Sequence, residues 1–198
     1  MSIFDFNPIS EVQKGINNLT KLALRSKTNK TSQSGHSYIP FYYDLFADKN
    51  NKISKVLQIG LGNVEKNSLY FWQDYFPIAN IYGIGDDKKY VFKRGRIQTF
   101  QGARNNSSEL KSIVKNIGSD IDIVIDEGTR PSKDIISAFQ TVMPMLKKTA
   151  MYIIENTNRP QADEITASLG KNYDYSLMRH HKMISRYDRL IVIKNQVT

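Results

Sequence analysis

The sequence contains no cysteine. That excludes a disulfide framework, thiolate zinc sites and a cysteine nucleophile. It contains no apolar run approaching the ~18 residues of a membrane span, and its N-terminus lacks an apolar signal core. Membrane contact and secretion are therefore not expected, and a soluble, cytoplasmic protein is. Histidine is scarce: His36 and the pair His180-His181 are the only three. No Ser-His-Asp arrangement, zinc-ligand spacing or P-loop can be laid over the chain. Acidic residues are outnumbered, 19 Asp and Glu against 28 Lys and Arg, for a net charge of +9. A positive field of that size makes nucleic acid a candidate partner, although no recognisable motif interleaves aromatic residues with the charges.

What is present divides the 198 residues into a short appendage and one domain. In the appendage, residues 1–35, Val12, Ile16, Leu19 and Ala23 recur at helical spacing behind Ser10-Glu11. The stretch Ser26 to Gly35 that follows is Ser, Thr, Asn and Lys, so it reads as a mobile polar linker. Lys14, Lys21, Arg25, Lys27 and Lys30 face only Asp5 and Glu11 in this part of the chain. A helix at 9–25 on such a tether suits a protein partner or a second copy of the chain, and docking onto its own domain is the alternative.

From residue 36 to 198 the pattern alternates. Lys55–Ile59, Asn80–Ile84, Arg96–Phe100, Ile121–Ile125 and Ala150–Ile154 read as short apolar strands. Between them lie helical faces marked by Leu69, Trp72 and Phe76, by Leu110, Ile113, Val114 and Ile117, and by Ile135, Ile136, Phe139 and Leu146. Ser107 or Ser108 is the expected cap of the second of these helices and Gly118 its stop. Pro144 bends or ends the third, and Pro160 opens one more helix. Tyr173–Met178 and Arg189–Ile193 are strand-like, with too few residues between them for a crossover helix, so they form an antiparallel hairpin. The fold class is therefore α/β: a Rossmann-like, mostly parallel sheet with helices on both faces and an antiparallel C-terminal hairpin.

Three stretches at the carboxyl ends of these strands, where open α/β sheets place their sites, carry candidate chemistry. Gly60-Leu-Gly62 follows the first strand and precedes a helix, the context of a cofactor loop rather than an ordinary tight turn. Asp86 or Asp87, after the second strand, offers a carboxylate that can accept from both hydroxyls of a ribose, or else serves as a solvated turn residue. Asp126-Glu127 and Glu155-Asn156 end two further strands, and their oxygens suit either Mg²⁺ or internal pairing with Arg104 or Arg130. His36, beside Tyr38, is placed to line the mouth of such a cleft.

Several segments, in unbroken order over residues 36–156, resemble the macrocin- and rhamnosyl-type sugar O-methyltransferases, a class I group that also carries the cephalosporin hydroxylase label. They are His36-Ser-Tyr-Ile-Pro-Phe-Tyr-Tyr-Asp-Leu-Phe46, Gln58-Ile-Gly-Leu-Gly62, Ser68-Leu-Tyr-Phe-Trp-Gln-Asp-Tyr-Phe-Pro77, Ile81-Tyr-Gly-Ile84, Phe100-Gln-Gly102, Val124-Ile-Asp-Glu-Gly128 and Tyr152-Ile-Ile-Glu155. The resemblance implies S-adenosylmethionine at Gly60, Gly62, Asp86 and Gly102, and Mg²⁺ at Glu127, Glu155 and Asn156. It also exposes departures. Gln58 stands where the family has an acid, Gly85 where an Asp closes the second strand, and Ala103-Arg104 where it has Asp-Gln. Arg130 occupies the position of the histidine base, and Asn156 that of a carboxylate ligand. An arginine stays protonated and cannot accept a proton, and each lost carboxylate weakens cofactor or metal binding.

Two functions remain in view. One is a divergent S-adenosylmethionine-dependent O-methyltransferase with impaired or lost activity. The other is a non-catalytic subunit that keeps the scaffold and meets a partner, a larger assembly or nucleic acid through its basic surface. A hydroxylase lacks any two-histidine, one-carboxylate iron triad.

Overall fold

Strands β1 (Lys55–Ile59), β2 (Asn80–Gly85), β4 (Ile97–Gln101), β5 (Ile123–Asp126) and β6 (Met151–Thr157) run parallel. The short β3 (Lys93–Arg94) closes one edge antiparallel to β4, and the hairpin of β7 (Tyr173–Arg179) and β8 (Arg189–Asn195) closes the other through β8. The order across the sheet is β3-β4-β2-β1-β5-β6-β8-β7. This computed structural model describes residues 8–34, 36–62, 65–127, 131–179 and 189–196. The expected strands and the reversed ending are all found, with ends displaced by at most three residues.

Burial on both faces explains the near-continuous apolar character of the strands. Val56, Ile81, Ile123, Ile125 and Ile153 point to one face, and Leu57, Ile59, Ile84, Val124 and Ile154 to the other. The first face is covered by α1 (Pro8–Arg25), α2 (Ile39–Phe46) and α3 (Glu65–Tyr75). Its filling is aromatic: Tyr42 meets Trp72 edge-on at 4.8 Å and Phe46 meets Phe76 at 5.4 Å. The second face is covered by α4 (Ser107–Ile117), α5 (Ser132–Val142) and α6 (Arg159–Ala167), and its core is mainly aliphatic.

Helix ends follow local chemistry, with one correction. Asn106, not Ser107 or Ser108, caps α4: its side-chain oxygen accepts from Glu109 N at 3.2 Å. The asparagine carbonyl reaches the third helical N–H from the extended conformation just before the helix, as a cap must. Gly118, at φ +104°, ends that helix. Pro144 falls in a single 3-10 turn, Met143–Met145, that terminates α5, and Asn158 with Gln161 forms a capping box for α6.

The segment after α1 overturns an expectation. Lys27, at φ +55°, reverses the chain while its N–H donates to Leu24 O at 3.0 Å and that of Thr28 to Ala23 O at 3.2 Å. These are the paired bonds of a Schellman cap, here without the usual glycine. The residues beyond it are no mobile linker: Thr28, Lys30 and Thr31 are buried. Thr28 Oγ1 bonds Ser68 Oγ of α3 at 2.9 Å, and Tyr38 N donates to Lys30 O at 3.1 Å. Hydrogen bonds, rather than apolar side chains, hold this stretch to the domain. Among the described residues no helix is long and apolar enough to cross a membrane.

Candidate functional site

The carboxyl ends of the parallel strands carry two adjoining regions of different character. Over β1, β2 and β4 lies an open cleft of about 410 Å³. Gly60, Gly62, Asp86 and Gly102, the residues expected to bind a cofactor, all line it. Gly60 holds φ +96°, a conformation that favours glycine, and its N–H donates to Ile84 O at 2.9 Å. Gly102 N is tied to Gly85 O at 2.9 Å, which brings the end of β4 to the same edge.

The structure separates the two acids after β2. Asp87 caps the following 3-10 turn, accepting from Lys89 N at 2.9 Å and pairing with Lys89 Nζ at 2.6 Å. Asp86 lies in the bend directly after the strand, is exposed, and faces the cleft. Gly85 itself has no room for a side chain, since a Cβ there would stand 2.9 Å from Leu61 Cβ. The bend therefore presents from position 86 the carboxylate that position 85 cannot carry.

Arg104 lies across the glycine loop and is only 8% exposed. Its Nη2 donates to Ile59 O at 3.2 Å and to Glu127 O, and it stands 2.9 Å from Asp126 Oδ1. With both Nη2 hydrogens directed at carbonyls, the contact to Asp126 is electrostatic rather than a third hydrogen bond. Tyr152 OH completes the arrangement by donating to Asp126 Oδ2 at 2.8 Å. Burial pushes the Asp126 carboxyl above its ordinary pKa, and Arg104 and Tyr152 offset this only in part. Arg104 Nε and Nη1 are buried without a partner among the described residues.

Over β5 and β6 the edge is closed. Glu127 and Glu155, two of the three expected metal ligands, do converge, but they converge on Lys30. Lys30 Nζ is 2.6 Å from Glu155 Oε2 and 3.3 Å from Glu127 Oε2, and all three side chains are fully buried. Its ammonium also sits 5.2 Å from the centre of the Trp72 ring. Burial alone would lower its pKa, but the two carboxylates outweigh burial and hold it above the ordinary value. Tyr42 OH donates to Glu155 Oε1, and burial first, then the glutamate charge, keeps that phenol protonated far above its usual range.

The third expected ligand is turned to another task. Asn156, at φ +58° where β6 bulges, accepts from Tyr38 OH at 2.9 Å and donates its own N–H to that hydroxyl at 3.0 Å. His36 stacks on the Tyr38 ring at 4.8 Å and is not among the residues lining the cleft. Gln58, in the place of an acid, is buried and accepts from Trp72 Nε1 at 3.1 Å. Arg130 and His180-His181 lie outside the described residues.

The two regions differ in what they fit. The cleft offers glycine-lined backbone, the carboxylates of Asp86 and Asp134 and the positive charge of Arg104, which suits a polar ligand bearing vicinal hydroxyls. The acidic pair does not fit a divalent ion while Lys30 is in place, because an ammonium already stands between its carboxylates. No group of three or more His, Asp or Glu among the described residues is arranged to hold a metal.

Sequence reasoning missed Lys30, Tyr38 and Tyr42 as site residues. A signal for the tyrosines was available: Tyr38, Tyr42 and Phe46 recur every four residues and share a helix face. Lys30 had none, since nothing local marks a lysine whose partner lies 125 residues away.

The sheet order and this edge define the Rossmann-like methyltransferase fold. No family model matches the chain. It is 30% identical over 143 residues to the 8-demethyl-8-(2-methoxy-alpha-L-rhamnosyl)-tetracenomycin-C 3'-O-methyltransferase of Streptomyces olivaceus, covering 70% of this chain and 36% of that protein. It is 32% identical over 126 residues to the mycinamicin VI 2''-O-methyltransferase of Micromonospora griseorubida, covering 61% of this chain and 31% of that one. The solved MycE methyltransferase of the mycinamycin biosynthetic pathway, in complex with Mg, SAH and mycinamycin VI, superposes with a TM-score of 0.71 at 26% identity, covering 89% of this chain and 54% of that structure. The chain is therefore similar to the macrocin- and rhamnosyl-type O-methyltransferases, which supports a class I S-adenosylmethionine-dependent O-methyltransferase-like family. It spans about a third of the length of the curated relatives it matches.

Proposed function

We propose that this chain is a divergent O-methyltransferase-like protein that binds S-adenosylmethionine or its demethylated product but transfers methyl groups poorly or not at all. One observation carries the binding half: Gly60, Gly62, Asp86 and Gly102, drawn from three strand ends, line a single cleft. Its volume of about 410 Å³ lies within the range of small-molecule sites. The glycines let the backbone approach the ligand closely, Asp86 is positioned to accept from ribose hydroxyls, and Arg104 places a positive charge beside the glycine loop. When bound, the cofactor supplies an electrophilic methyl group.

Impairment is inferred from the residue at the base position in the sequence. Arg130 stands where the resemblance places the base, and a guanidinium accepts no proton at any physiological pH. Loss of a general base costs on the order of 10²–10⁴-fold in rate. At the neighbouring strand ends Glu127 and Glu155 are engaged by Lys30, and Tyr42 holds its proton.

The test is isothermal titration with S-adenosylmethionine and S-adenosylhomocysteine, followed by transfer of a labelled methyl group to rhamnosyl acceptors. Micromolar binding with transfer at least ~10²-fold below that of an intact relative is expected. No binding at millimolar ligand would leave the second reading, a scaffold subunit acting through its basic surface and the helix at 9–25. Transfer at a relative's full rate would refute the impairment.

A further inference from the structure

At the ends of β5 and β6 two buried carboxylates converge, and a side chain of the protein already occupies the space between them. We infer that Lys30 is a tethered substitute for a divalent cation: its ammonium permanently balances one of the two negative charges of Glu127 and Glu155 and makes this edge of the cleft independent of metal.

The geometry is that of a built site. Nζ contacts Glu155 Oε2 at 2.6 Å and Glu127 Oε2 at 3.3 Å with no exposure of any of the three side chains. Burying two ionised carboxylates without a cation is costly, so the folded protein must either protonate them or hold a positive charge there, and here it holds Lys30. Lys30 is delivered by fixed backbone: the Schellman cap at Lys27 turns the chain, Thr28 is bonded to Ser68, and Tyr38 N is bonded to the Lys30 carbonyl. Trp72 covers the ammonium from the α3 side, and the Trp72 ring is itself held by Gln58.

Substituting a monovalent ammonium for a divalent ion has two consequences. The residual charge on the pair is more negative by one than with a dication, which the Tyr42 hydroxyl on Glu155 helps to stabilise. And an ammonium has no open coordination position, so it cannot bind an acceptor hydroxyl and lower its pKa as a metal ion does. The inference deepens the function proposed above. It rests on that reading only for its effect on transfer, because the acidic pair can be probed with metal alone whether or not the cleft binds a cofactor.

The experiment uses the full-length chain and Mn²⁺, followed by electron paramagnetic resonance, with thermal melting in Mg²⁺ or EDTA alongside. The wild-type protein is expected to bind no Mn²⁺ at millimolar concentration and to melt at the same temperature in both media. A wild-type site that saturates with one Mn²⁺, lost in Glu155→Gln, would overturn the inference. Lys30→Ala removes the ammonium and opens the pair to the neighbouring pocket of about 190 Å³ that Lys30 lines with Thr20 and Ser37. That variant is expected to gain a single Mn²⁺ site. Its melting temperature should rise by roughly 5–10 °C at metal concentrations about a hundred times the dissociation constant. A folded Lys30→Ala protein that binds no Mn²⁺ would also overturn it. Should the variant fail to fold without metal but fold with Mg²⁺ or Mn²⁺ present, the inference is supported. Failure in both media leaves the decision to the wild-type titration.

Discussion

The two halves of the carboxyl edge start from the same kind of strand end and reach opposite conditions. Over β1, β2 and β4 the backbone is glycine-rich and Asp86, one of the acids lining the cleft, is exposed, so the space stays open. Over β5 and β6 the side chains are carboxylates, and a lysine from a distant segment fills what would otherwise be an empty, highly charged cavity. The comparison teaches that backbone can line an open pocket at little electrostatic cost, whereas converging carboxylates must be matched by a cation before the fold can close over them. Substitutions in the closed half should therefore register as stability, and substitutions in the open half as ligand affinity.

The largest effect should come from Lys30→Met, which keeps the stem and removes the charge. Two buried carboxylates are then left without their cation, and urea denaturation should show a loss of about 3–5 kcal/mol. A loss below ~1 kcal/mol would mean that the two halves are not electrostatically different. Next is Tyr42→Phe, which deprives Glu155 of a donor in a buried setting and should cost about 1–3 kcal/mol by the same measurement.

Asp86→Ala should sharpen the contrast from the open side. Stability should change by no more than about 0.5 kcal/mol, as for an ordinary exposed residue. Affinity for S-adenosylhomocysteine, measured calorimetrically, should fall roughly tenfold or more through the lost hydrogen bonds. The reverse result, a destabilised protein with unchanged affinity, would assign Asp86 to the fold.

The smallest effect lies at the opposite, amino edge of the sheet. Burial there pushes Asp122 up, but its contacts with Lys147 and with the N–H groups of Lys55 and Ser54 outweigh burial and hold its carboxyl below the ordinary value. A depressed pKa contributes stability above the unfolded-state value of about 4, and that contribution is lost as pH falls through the lower folded value. Wild-type stability should accordingly decline below about pH 4. Asp122→Asn should remove part of that decline while leaving ligand affinity at neutral pH unchanged.

Much of the fold was legible because burial on both faces leaves local traces. The strand runs, the helical faces of α3, α4 and α5, and the stop at Gly118 are periodicities and turn chemistry confined to a few neighbouring residues. The cap of α4 was misplaced by one residue because Asn106, Ser107 and Ser108 are all capping types, and only backbone conformation decides between them. Of the site, the glycines and Asp86 that line the cleft were legible, Asn105 and Asp134 beside them were not, and the pairing of Arg104 with Asp126 was one of two alternatives for the acids. The rest was not. Residues 26–35 carry no apolar pattern, so their composition predicts mobility. What packs them is hydrogen bonding and one buried ion pair network.

By itself the sequence determined the alternation of strands and helices, the antiparallel C-terminal hairpin, the glycine loops and the convergence of acids at the strand ends. Each of these follows from spacing within a few residues, where sterics and side-chain period act directly. Only the tertiary structure decided which cation stands between Glu127 and Glu155, which of two adjacent aspartates faces the cleft, and that Asn156 serves Tyr38. Those choices depend on where distant segments meet, and the energy of a buried charge is set by partners that sequence distance does not reveal.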